Sequence, residues 1–356
     1  MSKKGLKIAV ILFLSFLFLT FVSCEKLKIS TLKANYHFNK ANKFFQDEMY
    51  RKAIPEYELA LKYNPNLVPA YHYLGECYKA LYRPGLKTEE NKERAKKALE
   101  YLKKALELNP DNRDIILSLG DMYNKLRDFE NAEKFYLKIL EMEPDKVENY
   151  YVVAEFYKSY AGQEDKQKKE GEKPVRVVGG KVIEEPEEKK EKTFEEMTPI
   201  EKAEEMYKRV IKMNPNNIDA YARLATFYED PPLHDFDKAK EYWKKIIEID
   251  PNNAVAYSHL GVNRWAKSYR IANLPLKEKL KAAYEGVEAL KKAIELNPDL
   301  AEPYAWLKVL YTHLSKLEPK KEVEYKSLAD EYGKKWERIR KKVEERKRLE
   351  AELKIK

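Results

Sequence analysis

Residues 113–146 read RDIILSLGDMYNKLRDFENAEKFYLKILEMEPDK, a 34-residue stretch that stops at Pro144 followed at once by Asp145. The same ending, a proline with Asn or Asp behind it, recurs at Pro65, Pro110, Pro215 and Pro251, and at Pro298. Successive gaps are 45, 34, 71, 36 and 47 residues, a 34-residue period with 11, 0, 37, 2 and 13 residues added. Proline has no N–H and its ring clashes with the preceding turn, so Asn64-Pro65, Asn109-Pro110, Asn214-Pro215 and Asn297-Pro298 end helices. Asn66, Asp111, Asn216 and Asn252 behind them are expected to cap the helices that follow.

Small residues recur twelve and five positions before the proline, at Ala53 and Ala60, Ala98 and Ala105, and Gly286 and Ala293, where they let helices approach closely. After the proline come Ala70-Tyr71, Ala220-Tyr221, Ala256-Tyr257 and Pro303-Tyr304, then Leu-Gly pairs at Leu74-Gly75, Leu119-Gly120 and Leu260-Gly261. An aromatic closes each first helix at Phe44, Tyr78, Tyr123, Tyr157 and Tyr228. Over roughly residues 34–335 this pattern resembles the tetratricopeptide repeat, whose 34-residue unit is two antiparallel helices. The resemblance implies an all-α, right-handed superhelix (solenoid) of about six units plus a C-terminal capping helix. Ile139, Val210 and Ile246 stand at positions where a small residue is usual, and the last unit has Lys308 in its small position and no closing proline. Each helix pair is apolar on more than one face and can bury itself only against its neighbours.

The expected organisation is 1–23 signal peptide, 24–34 tether, repeat one at 35–66, repeat two at 67–112 and repeat three at 113–146. Repeat four covers 147–217, repeat five 218–253, repeat six 254–299, and a terminal helix pair with a basic tail 300–356. The additions fall mainly in repeats two, four and six, between the two helices of each unit. In repeats two and six they lengthen helices, Glu89 to Leu108 and Lys277 to Leu296, after breaks at Arg83-Pro84-Gly85 and Asn273-Leu274-Pro275. The charged insert at 161–198 reads as a solvated loop in which Val175 to Ile183, two β-prone runs around Gly179-Gly180, carries a hairpin signal. Tyr325, Leu328, Tyr332, Trp336, Ile339 and Val343 draw one apolar stripe along a long terminal helix.

Lys3, Lys4 and Lys7 precede an apolar run from Ile8 to Val22 and then Ser23-Cys24, the layout of a secretory signal. Ser23-Cys24 resembles a bacterial lipobox, although Phe21 stands where Leu is usual. That resemblance implies lipidation of Cys24, membrane attachment through this N-terminal lipid, and repeats facing the periplasm or outer surface. Glu25 to Ala34 would then keep the folded part within roughly 35 Å of the lipid. With Cys24 lipidated, only Cys77 remains and no intramolecular disulfide forms; its place in a first helix reads as buried packing.

The formal net charge of +9 falls to +6 once Lys3, Lys4 and Lys7 are removed, and residues 320–356 alone hold fourteen Lys or Arg against nine Asp or Glu. The repeats are nearly neutral, so no basic stripe for nucleic acid runs along them. No phosphate-cradling glycine loop or helical zinc signature is present, His37, His72, His234, His259 and His313 show no ligand spacing, and no cofactor is expected. Nothing points to an enzyme or a small-molecule substrate. Abundant Lys and Glu with three glutamines is a hyperthermophile composition, which a thermal midpoint below about 60 °C would contradict.

In the resembled family the first helices line a concave groove that takes peptides. The matching positions here are His72, Tyr73 and Glu76; Asp114, Ser118, Asp121 and Asn124; Glu148, Tyr151 and Glu155; Asp219, Arg223 and Thr226; and His259 and Trp265. This groove reads as acidic and lacks the Lys and Asn set that clamps a terminal carboxylate. First-turn carboxylates such as Asp114, Glu148 and Asp219 are favoured by the helix dipole alone, whereas Asp121 and Glu155 lie two turns in and suit a basic or hydrogen-bonding polypeptide segment. The expected function is a non-catalytic protein-interaction scaffold supporting a cell-envelope assembly of pilus, secretion or outer-membrane type. The alternative is a carbohydrate-binding or polysaccharide-export accessory protein that uses Tyr73, Tyr151 and Trp265.

Overall fold

The computed structural model describes residues 29–171, 192–231 and 233–354, with backbone alone over 163–171 and at 354. The predicted signal peptide, Cys24, the start of the tether and the hairpin signal at 175–183 lie outside the described residues. Every element longer than a turn among the described residues is an α-helix.

Two compact bodies divide the chain after Phe156. The first holds α1 (29–46), α2 (Tyr50–Tyr63), α3 (Val68–Leu81), α4 (Glu89–Leu108), α5 (Arg113–Lys125), α6 (Phe129–Met142) and the beginning of α7 (Val147–Gly171). To the second belong the rest of α7, α8 (Pro199–Met213), α9 (Ile218–Glu229), α10 (Phe236–Ile249), α11 (Ala254–Arg270), α12 (Leu276–Leu296), α13 (Ala301–Leu317) and α14 (Glu322–Lys354). Within each body, helices pack as consecutive pairs, so the fold is an all-α array of the predicted kind.

Two boundaries differ from expectation. Residues 29–34, assigned above to the tether, are the first turns of α1, because Ala34 is fully buried and the Ser30 hydroxyl donates to the Tyr63 carbonyl at 2.5 Å. The charged insert opens as helix, since α7 continues through Gly171. The long helices of repeats two and six end where predicted, and α14 is one helix that buries Tyr325 and Ala329 against α13.

The turns behind the second helices are built differently from the sequence reading. Pro restricts the residue before it to extended backbone, and Asn64, Asn214, Asp250 and Asn297 are extended at φ −138, −142, −132 and −143°. Their side chains turn forward and accept the N–H two residues on, from Asn66, Asn216, Asn252 and Asp299, at 3.0 to 3.2 Å. Asn66, Asn216 and Asn252 are therefore turn donors, not caps. The caps sit one position later, with Asn112, Asn217 and Asn253 accepting from the first turns of α5, α9 and α11.

The Leu-Gly pairs explain how two helices of a unit close up. A Cβ on Gly75 would stand 2.6 Å from Leu102, and one on Gly261 2.5 Å from Leu290, both leucines fully buried. Burying each leucine contributes about 1.5 to 3 kcal/mol, and glycine opposite is what admits it. Ala53, Ala60, Ala98, Ala105 and Ala293 are likewise fully buried, while Ile139, Val210 and Ile246 fill wider contacts with almost no exposure.

Candidate functional site

In the first body the first helices α3 and α5 are stitched by polar side chains. His72 Nε2 lies 2.9 Å from the Ser118 hydroxyl, and burial pushes the His72 ring below its usual range, so the neutral form is favoured. Lys79, nearly buried, is 2.7 Å from Glu76 and 3.4 Å from Asp121. The Asp121 carboxylate also accepts the Tyr136 hydroxyl at 2.6 Å, and burial, followed by the Asp121 charge, raises the Tyr136 hydroxyl well above its ordinary value.

This arrangement changes the electrostatic reading. The groove is less acidic than the sequence suggests, because Lys79 sits between Glu76 and Asp121 and neutralises one charge of the pair. Asp121 has a structural duty as well as a surface one. Asn124, one turn further along α5, has a buried side-chain oxygen with no hydrogen-bond partner among the described residues. On α7, Tyr151 is half-buried and Glu155 exposed. Asp114 and Glu148 are exposed in the first turns of α5 and α7.

Tyr73 is not available to a ligand in the same way. Its ring stacks on Tyr57 (centroids 6.0 Å apart, 10° between planes) and meets Phe45 edge-on at 5.2 Å, which makes it part of the packing between repeats one and two. Cys77 beside it is fully buried, and burial pushes its thiol up to about 12, so it is inert as expected.

The remaining candidates lie in the second body. Arg223 is exposed and pairs with Asp219 one turn away at 2.8 Å. Thr226 is exposed and bonds back to the Ala222 carbonyl. His259 stacks on Trp243 at 4.6 Å and 5°. Trp265 stacks on Tyr269 at 5.2 Å and 11°, and packs on Trp306 at 4.8 Å; Tyr269, 61% exposed, makes this the most open aromatic ledge of the body.

Sequence reasoning missed a buried ionic set under α11. Arg264 is 2% exposed and Asn263 1%, the latter donating to Glu229 at 2.6 Å while Trp243 Nε1 donates to the same oxygen at 2.9 Å. Burial raises the Glu229 carboxyl above the ordinary range despite these two donors. A signal was present: the closing aromatics run through repeats one to five, and in repeat six the same count reaches Arg264. No cluster of metal-ligating side chains occurs among the described residues, nor any helix long and apolar enough to cross a membrane.

Two family models described as tetratricopeptide repeat match the chain, at residues 92–154 and 206–241. No curated protein sequence matches it. Among solved structures the chain is similar to the C-terminal part of a TPR repeat-containing protein from Cytophaga hutchinsonii, with 14% identity, TM-score 0.49, and 84% of this chain and 93% of that one covered. It is similar also to Pseudomonas aeruginosa PilF (14% identity, TM-score 0.40, 77% and 96% covered). PilW, a type IV pilus biogenesis factor, is comparable (18% identity, TM-score 0.40, 76% and 96% covered). At these scores none of the three says what this chain binds.

Proposed function

From the premise that this is a tetratricopeptide repeat protein, we propose that it is an exported, lipid-anchored docking scaffold for assembly of a cell-envelope complex. Export and the anchor are supported by Lys3, Lys4 and Lys7, the apolar run from Ile8 to Val22 and the Ser23-Cys24 pair. The face formed by α3, α5 and the start of α7 receives an extended polypeptide segment that offers hydrogen-bond donors and basic side chains.

The observation that carries the docking role is Asn124. A buried acceptor without a donor costs about 1 to 3 kcal/mol unless something satisfies it, and this one lies a single turn from Asp121 on α5. A partner N–H or ammonium supplies the missing donor once the Asn124 amide turns outward to meet it.

The test is affinity purification from native membranes of the intact protein, a Cys24→Ser form, and an Asp121→Asn/Glu155→Lys form. Asparagine at 121 keeps an acceptor for Tyr136, so the fold is preserved while charge changes. Lipid mass on the intact protein alone, and a discrete partner lost from the double variant, is the expected result. Undiminished recovery with the double variant overturns the groove, and absence of lipid overturns the anchor. A sugar-binding reading rests on the Trp265, Tyr269 and Trp306 ledge, and requires polysaccharide retention that Trp265→Ala/Tyr269→Ala abolishes.

A further inference from the structure

Repeat six departs from its neighbours at one buried position. Three residues after the small residue of the first helix stands an aromatic: Gly75 with Tyr78, Gly120 with Tyr123, Ala154 with Tyr157, Ala225 with Tyr228. From Gly261 the same count gives Arg264. Its guanidinium donates to Asn263 Oδ1 at 2.8 and 2.6 Å, to Asp237 at 3.1 Å, and to the Phe236 carbonyl.

Where a ring would fill space, a cavity of about 560 Å³ opens between α10, α11 and the first turns of α12. A second, of about 380 Å³, shares Lys240, Arg264 and Glu285 with it and reaches Lys292 over Tyr257, Leu260 and Ala289. Together they form a trough along α12 from Lys277 to Lys292, about 22 Å at 1.5 Å per residue.

The trough is lined by seven cations against four carboxylates, Asp237, Glu278, Glu285 and Glu288, and so is net positive. Two of its carboxylates are already paired inside it: Asp237 between Arg264 and Lys267 (2.6 Å), and Glu285 with Lys240 (2.6 Å). Burial would raise Asp237, yet the bonds from Lys267 and Arg264 hold it below the ordinary range, so it stays an anion matched to them. Lys277 and Lys281, exposed and one turn apart on α12, have no ion pair among the described residues. With Glu278 the only carboxylate beside them on that turn, they leave this end of the rim with a net positive charge.

Repeat two supplies the internal comparison. It has the same lengthened second helix, and a cavity of about 380 Å³ lies in the equivalent place, but Tyr78 is present there. Its cations are engaged: Arg94 with Glu90, Arg51 4.0 Å from Glu90, and Lys97 over the Tyr78 ring at 5.3 Å. Lengthening alone does not make a charged trough. The exchange of aromatic for Arg264, with Lys277 and Lys281 at the rim, does.

We propose that this trough is a second docking site, separate from the α3 and α5 face, and that its occupant is an extended acidic polypeptide segment. Carboxylates of the segment pair with Lys277 and Lys281 above Arg264, and its apolar side chains lie on Tyr257 and Leu260. The apolar floor is what favours a peptide over a bare phosphate chain. An extended segment of about seven residues spans the trough at ~3.3 Å each.

The experiment is fluorescence anisotropy of the full chain with a labelled peptide of Glu-Asp-Leu triplets, about twelve residues long so that it overhangs the trough. A Lys-for-acid version serves as control and inorganic tripolyphosphate as competitor. Expected are saturable binding of the acidic peptide alone, weakening on added salt, and about tenfold or greater loss in Lys277→Glu/Lys281→Glu. Both lysines are exposed, so that variant folds; Arg264→Tyr, which refills the cavity, should also lose binding. Asp121→Asn/Glu155→Lys should bind normally, which separates this site from the other face. No saturable binding, an unchanged affinity in the double lysine variant, or displacement by tripolyphosphate at matched charge overturns the proposal, the last by assigning the trough to phosphate.

Discussion

Gly261→Ala tests the packing argument most directly. An alanine in a helix interior is intrinsically better than glycine by about 0.8 to 1 kcal/mol. At 261 the added Cβ would lie 2.5 Å from Leu290 Cγ, 2.8 Å from its Cδ2 and 3.1 Å from the Gly286 carbonyl oxygen. Leu290 is fully buried and the carbonyl belongs to the α12 backbone, so neither yields cheaply. Overpacking of this kind costs about 1 to 3 kcal/mol, which set against the helix gain leaves a net loss of up to about 2 kcal/mol. The same exchange at Gly162, where a Cβ would meet nothing within 4 Å, should keep the gain and stabilise by up to about 1 kcal/mol. Urea unfolding followed by tryptophan fluorescence reads both, with the m value confirming that only stability changed. In a Leu290→Ala background the two closest contacts are gone and only the Gly286 carbonyl at 3.1 Å remains, so Gly261→Ala should become close to neutral, a coupling of about 1 to 2 kcal/mol. Equal effects at 261 and 162, or no coupling to Leu290, would refute the close-approach account.

Other expectations follow from single groups. Asn112→Ala should cost about 1 kcal/mol by removing the α5 cap, whereas Asn216→Ala should stay within about 0.5 kcal/mol, since only its backbone N–H is used; thermal midpoints of the pair decide between cap and turn donor. Glu229 holds its proton more tightly folded than unfolded, so its contribution turns less favourable as pH rises from the unfolded value through the folded one, and is constant above. Relative to Glu229→Gln the wild type should therefore lose thermal stability across that window, and a constant difference would show that the buried carboxyl does not titrate as described. Cys77 should resist iodoacetamide at pH 8 in the folded chain and react on unfolding, with intact mass as the readout; rapid labelling of the native protein contradicts its burial.

Much of this fold was legible because its grammar is local. Glu89 to Leu108 could be bounded from charge, apolar spacing and the Asn109-Pro110 stop without knowing any neighbour. The caps were misplaced by one residue for an equally local reason: Asn64 and Asn66 are both capable acceptors, and only the backbone shows that the first uses its side chain and the second its N–H. Lys79 and Arg264 were not legible as site residues, since Lys and Arg on helices are assigned to solvent unless a partner is known. Their partners, Asp121 and Asp237, lie 42 and 27 residues away, and that proximity arises only from stacking. Tyr73 was misjudged as a possible sugar platform because register places it on the groove side while Tyr57 and Phe45, from other helices, claim its faces.

All six connections that lead from a second helix to the next first helix are four residues long, whereas those inside a repeat vary from three upward. Length variation in this chain has thus been admitted at one kind of joint and refused at the other. The refused joint is the one where a proline turn, braced at four of the six by an Asn or Asp side chain, sets how one repeat follows the next, so an inserted residue there would rotate the repeat that follows. At the tolerant joint an insertion merely lengthens a hairpin. For anyone wishing to graft a tag, a sensor or a foreign binding loop, the sites between α3 and α4 and between α11 and α12 are the safe ones, and any four-residue turn is where a single added residue would do most harm.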